Sequence, residues 1–216
     1  MARAASTTET GAGTAPPRPR ARARFDDRQG EIVDAAARVF SEHGYHATSI
    51  DDLVVATGLQ RGGLYYYIGG KQELLVRIHA RFIDPLLEEA RTIAAANEPP
   101  DVAIRSLAHA LMSAIATYRD HFRVFLSEWR VIERDPGWQD VRHARRELED
   151  IVAAVLVRGR EQGRFRVPDE RLATLGLLGM LVYTYQWFDP DGRLSDEEVA
   201  DSFCDIFLGG IQTAPG

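Results

Sequence analysis

The 216-residue chain has a single cysteine, Cys204, and a single lysine, Lys71. One thiol excludes an internal disulfide framework and a CxxC-type metal site, so a reducing compartment, the cytoplasm, is expected. No apolar stretch of signal-peptide length lies among the first residues, and export is not expected. Long hydrophobic runs are also missing. The longest candidate, roughly residues 172–188, contains Thr174, Thr184, Gln186 and two glycines. It is short for a bilayer span and reads as a buried helix, so no membrane partner is expected.

Catalytic signatures are equally scarce. The six histidines, His43, His46, His79, His109, His121 and His143, form neither an HExxH motif nor a tight pair with carboxylates. No GxSxG or paired-acid pattern appears. The "GGK" at 69–71 invites comparison with a phosphate loop, but that pattern needs glycine at Tyr65 and a hydroxyl residue at Gln72, with a strand before it. Enzymatic activity, a cofactor and a metal are therefore not expected.

What is present is the composition of an ordinary globular protein: 45% hydrophobic and 27% charged, enough for one or two domains with a real core. The net charge of −6 is unevenly placed, because bases and acids balance over residues 1–75 and the excess acid lies beyond. Within the balanced part, Arg18, Arg20, Arg22 and Arg24 alternate through "PRPRARARF". With no hydrophobic pattern, residues 1–24 are expected to be a disordered basic arm. Such an arm serves either as a solubilising extension or as a DNA contact along phosphates or in a minor groove.

A helical pattern begins at Asp27. Ile32, Ala36, Val39 and Phe40 recur at i, i+4, i+7 and i+8, and Gly44 caps the helix. Thr48 and Ser49 then precede Asp51 and Asp52 at capping-box spacing, opening a short second helix that ends by Gly58. A further short helix covers Gln60 to Tyr67, so the order is helix, turn, helix. Its composition is odd for a core element, since each interior glycine costs a helix about 1 kcal/mol relative to alanine. At about 100° per residue, Leu64 and Ile68 form the buried stripe and Tyr66 points to the opposite side, beside Gly62. Glycines that let backbone approach closely, with Arg61 and tyrosine hydroxyls as donors, suit entry into a DNA major groove. Lys71, at the start of the next helix, opposes the macrodipole unless an anion such as a phosphate sits there; the alternative is a solvated charge.

Residues 28–75, "RQGEIVDAAARVFSEHGYHATSIDDLVVATGLQRGGLYYYIGGKQELL", resemble the DNA-binding domain of TetR-family transcriptional regulators. The landmarks are Ala35, Phe40, Gly44, Thr48, Ile50, Ala56, Gly58, Leu64, Tyr65, Tyr67, Lys71 and Leu74. Departures fall at Gln60, Gly63, Ile68 and Gln72. The resemblance implies phosphate contacts from Thr48, Tyr66, Tyr67 and Lys71, and base or groove contacts from Arg61, Gly62 and Tyr65. Gln60 is added as a candidate base reader. It also implies a double-stranded DNA operator as partner.

Beyond Leu75 the apolar spacing is helical throughout, giving spans near 72–96, 101–119, 121–134, 137–162, 169–188 and 195–212. Pro85 is expected to kink or split the first of these. The whole is an all-α protein of about nine helices, divided as a basic arm (1–24), a helix-turn-helix domain (25–71) and a ligand-binding and dimerisation domain (72–216). Tyr118, Phe122, Phe125, Leu126 and Trp129, with Tyr183, are candidate ligand contacts; core packing explains several of them equally. Arg123 and Arg130 are candidate partners for ligand phosphates. Leu172, Leu175, Gly176, Gly179, Met180 and Tyr183, with Phe203, Ile206 and Phe207, offer a face for a homodimer built as a four-helix bundle. The closing "YTYQWFDPDGRLSDEEVADSFCDIFLGGI" resembles the C-terminal region of TetR-type repressors that control sterol and fatty-acid degradation in actinobacteria. That resemblance implies an acyl-coenzyme A effector. Two other readings stay open: a sensor of drug-like compounds controlling an efflux gene, and an architectural DNA-binding protein with no ligand.

Overall fold

The computed structural model describes residues 19–129 and 138–212. Among these residues there are nine α-helices: α1 Pro19–His43, α2 Ile50–Thr57, α3 Arg61–Ile68, α4 Lys71–Ala95, α5 Pro100–Thr117, α6 Arg119–Ser127, α7 Gln139–Glu161, α8 Glu170–Val182 and α9 Asp196–Ile211. A 3₁₀ turn, Tyr183–Gln186, follows α8. The only β feature among them is one antiparallel bridge, Phe165 to Gln212. The all-α expectation holds.

Local signals place most of the boundaries. Ser49 and Asp52 close a reciprocal capping box at the start of α2, and Ser195 with Glu198 does the same for α9. Gly58 ends α2 at φ +66°, a left-handed conformation that disfavours any side chain. Two expectations need correction. α1 begins at Pro19 rather than Asp27, so the last part of the stretch read as a disordered arm is helical. Alanine and arginine are strong helix formers without any apolar face, and proline at the first helical position loses no hydrogen bond. At Pro85, where a kink or a split was expected, the split is overturned: α4 runs through it. Phe82, Ile83, Leu86 and Leu87, all buried, flank the proline on both sides, and their burial offsets the lost rung of about 3 kcal/mol.

One hydrophobic core runs the length of the molecule, from Phe40 and Leu64 at one end to Leu156, Leu177 and Leu208 at the other. α4 threads it, packing against α1, α5, α6 and α7, while α9 lies along α5. A polar node joins three helices: Asp34 of α1 accepts from Nε and Nη2 of Arg81 in α4, both at 3.1 Å, and lies 3.0 Å from Nε2 of His121 in α6. At the end of α7 the Phe165 ring occupies the space a side chain on residue 159 would need, 2.1 Å from where its Cβ would fall, so only Gly159 fits. Cys204 is buried in α9, which pushes its thiol up to about 11.

His79 is buried on α4 against Phe82 and Phe125, and burial pushes its imidazole down to about 3. The buried His121 is also lowered, by burial against the opposing pull of Asp34. In the unfolded chain both bind a proton near pH 6.5. The stability His79 contributes is therefore complete above pH 6.5 and is lost as the pH falls toward 3, and His121 acts in the same direction. The thermal midpoint is expected to drop between pH 6.5 and 5, before most carboxylates titrate, and a His79→Gln variant is expected to show a shallower drop. Equal slopes for the two proteins would remove His79 as a contributor.

Candidate nucleic-acid interface and effector cavity

The first candidate site is built by α2 and α3. Leu64 and Ile68 are buried, which turns the opposite side of α3 outward: Tyr66 is 72% exposed, and Tyr65 is also exposed. Gly62 and Gly63 face open space, so backbone is accessible there. Gln60 precedes α3 in extended conformation and makes no side-chain capping bond, leaving its amide outside the fold. Arg61 is exposed and pairs with Asp51 at 2.8 Å.

The remaining candidates are more engaged than the sequence suggested. Thr48 is only 3% exposed, and its hydroxyl donates to the Gly44 carbonyl at 2.8 Å. Tyr67 is half-buried, and its carbonyl accepts from the Gln29 side chain at 2.6 Å. Lys71 opens α4 with its ammonium 4.3 Å from the centre of the Tyr45 ring, a cation–π arrangement, and burial lowers its pKa. Glu128, 3.1 Å from Nε2 of His46, opposes that lowering. Phe25, absent from the sequence-based candidates, stacks on Tyr67 at 5.0 Å and meets Tyr66 edge-on at 5.5 Å. Its position before the periodic segment hid it.

The second candidate site is a cavity of about 420 Å³ bounded by α4, α5, α6, α7, α8 and the 3₁₀ turn. Phe122, Phe125, Leu126 and Trp129 come together in its wall, joined by Phe82, Leu86, Leu178 and Tyr185. Tyr118 does not line it; it lies against Arg81 and His121 instead. Tyr183 is 63% exposed and faces away. Tyr185, in the 3₁₀ turn that follows α8, lines the cavity instead, continuing the stripe of Leu178 and Val182. Arg123 is not in the wall, and Arg130 lies outside the described residues. The cation present is Arg145, whose guanidinium lies 4.4 Å from the Trp129 ring centre and whose Nε donates to Glu149 at 3.0 Å. His79, Phe82 and Leu86, at i, i+3 and i+7 on α4, were readable as a stripe but not as a wall. Among the described residues no cluster of histidine, cysteine or carboxylates suits a metal, and no helix is long and apolar enough to cross a membrane.

Two family models match the chain, one after the other. Residues 32–78 match the family model for bacterial regulatory proteins of the tetR family, and residues 97–211 match the tetracyclin repressor-like C-terminal domain. The HTH-type transcriptional repressor KstR2 of Mycobacterium tuberculosis is 25% identical over 87% of this chain and 94% of its own length. The structure of that ketosteroid regulator superposes with a TM-score of 0.81 at 26% identity, covering 87% of this chain and 96% of that one. PfmR from Thermus thermophilus, a TetR-family regulator, reaches 33% identity and a TM-score of 0.76 over 82% of this chain and 97% of that one. The chain belongs to the TetR family of transcriptional regulators.

Proposed function

We propose that this regulator binds a pseudo-palindromic operator as a homodimer and represses until a hydrophobic effector fills the cavity. The observation that carries this reading is α4, whose first residue, Lys71, abuts the helix-turn-helix while His79, Ile83 and Leu86 line the cavity. One rigid element thus touches both sites, and a ligand favouring one placement of α4 biases the other site. The working division is a helix-turn-helix domain over 25–71 and a ligand-binding and dimerisation domain over 72–216. Thr48, Gln60, Arg61, Gly62, Tyr65, Tyr66, Tyr67 and Lys71 are its DNA-binding candidates. Thr48 acts through the Gly44 bond that sets the start of α2, and the others present groups directly.

Dimerisation is supported by apolar side chains left outside on α8 and α9: Leu172 is 70% and Ile206 66% exposed, with Gly176 open on α8. Light scattering at micromolar concentration is expected to give twice the chain mass, and Ile206→Asp is expected to shift it toward one chain. A monomeric unaltered protein would sink the dimer.

For the operator, Lys71→Ala is expected to weaken binding to all duplexes about equally, whereas Arg61→Ala also blurs base preference, by about 1–3 kcal/mol at the position it reads. Equal, sequence-blind losses from both substitutions would remove Arg61 as a reader.

The effector we favour is an acyl-coenzyme A thioester. The aromatic and aliphatic wall suits the acyl chain, and Arg145, part-exposed at the cavity edge, suits a phosphate or the polar thioester end. The likeness to KstR2, a ketosteroid transcriptional regulator, supports a role in lipid metabolism. A second reading, a sensor of cationic drug-like compounds, is favoured by the Glu149 carboxylate among the aromatics. Thermal-shift and operator-release titrations with acyl-coenzyme A esters, free fatty acids and cationic dyes separate the two. Stabilisation and release by the esters alone is the expected outcome; release by the dyes alone replaces the lipid reading with the drug sensor.

A further inference from the structure

The helix-turn-helix surface is poor in positive charge. α2 opens on Asp51 and Asp52, and the single cation of α3, Arg61, is paired with Asp51. Lys71, beside the Tyr45 ring at the start of α4, offers one further cation for a phosphate. Duplex DNA presents a dense row of phosphates, and neutralising them supplies most of the sequence-independent affinity. The cations for that task must come from beside the recognition helix rather than from it.

The first turns of α1 hold such cations in place. Phe25 lies against Tyr66 and Tyr67 of α3, which themselves meet edge-on at 5.2 Å, so three rings tie the beginning of α1 to the outward side of the recognition helix. The Gln29 bond to the Tyr67 carbonyl, one turn further along α1, fixes the same joint. Arg22, three residues before Phe25, falls about 60° from it around α1, and Arg24 about 100° from it on the other side, so the two exposed arginines flank the ring that faces α3. The first turn of α1 carries no acidic residue, so its arginines oppose the helix dipole until an anion arrives. The matched family domain begins at Ile32, which leaves Phe25 and these arginines outside it.

We propose that Arg22 and Arg24, positioned by Phe25 against Tyr66 and Tyr67, form an accessory DNA-contact surface that grips phosphates flanking the bases read by α3. This rests on the operator-binding reading above. The surface adds affinity without adding base preference, because it meets backbone alone. Phe25 acts as a positioning residue: it touches no DNA and sets where the arginines stand.

The test uses the full chain and a duplex enriched from a random pool by the unaltered protein. Arg22→Ala/Arg24→Ala is expected to flatten the plot of log affinity against log salt by about 0.9 for each phosphate no longer neutralised. Affinity at moderate salt is expected to fall on the order of tenfold or more, while the base preference of the enriched site is unchanged. Phe25→Ala is expected to flatten the slope in the same direction and Phe25→Tyr to restore it, with melting temperature monitored to separate loss of fold from loss of position. Hydroxyl-radical footprints are expected to lose protection only at the flanks. An unchanged slope and footprint in the double variant would overturn the proposal and leave the arginines as solubilising groups, with operator binding intact. Failure of the unaltered protein to enrich any duplex would overturn the operator reading and this surface together.

Discussion

Burial of one face of α4 is the constraint on which the rest of the molecule depends. Leu74, Leu75, Ile78, His79, Phe82, Ile83, Leu86, Leu87 and Ala90 are all buried along it. A stripe that long needs a partner at every turn, and α1, α5, α6 and α7 supply one in succession. The same stripe explains why Pro85 is tolerated: the helix is held from outside rather than by its own ladder.

Where α4 passes between α1 and α6, the apolar contacts are supplemented by Asp34, Arg81 and His121. A bidentate guanidinium–carboxylate contact has a narrow geometric tolerance, so it fixes the relative placement of three helices more sharply than methyl groups do. His121 is followed by Phe122 in the cavity wall, and Asp34 lies on the helix whose beginning carries Phe25. The DNA side and the cavity side thus meet at one carboxylate.

Much of this was legible in the sequence because the responsible interactions are local. The capping box at Ser49 and Asp52, the left-handed turn at Gly58 and the Leu64–Ile68 stripe each depend on residues within a few positions of one another. The cavity was half legible: Phe122, Phe125, Leu126 and Trp129 share a helical face, but α4, α7 and α8 arrive from far along the chain. Tyr183 and Tyr185 lie on opposite sides of the chain in either helix type, about 200° to 240° apart, and which side meets a cavity is decided by α4, α6 and α7, which arrive from distant sequence. Arg145 was passed over for Arg123 because no periodicity says which charged residue stands at a rim. Phe25 was hidden by its setting, an isolated aromatic after a run of alternating arginines, whose partners lie some forty residues later.

The scarcity of cysteine and lysine also makes the chain chemically quiet. A thiol raised to about 11 and buried in α9 stays protonated and shielded, so it resists alkylation and oxidation in the folded protein. The only side-chain amine is that of Lys71, seated at the joint between the recognition helix and α4. A cysteine introduced on any exposed turn would be the sole reactive thiol, and an amine reagent would report on one side-chain position. The native chain is accordingly a clean background for attaching single spectroscopic labels at either end of α4.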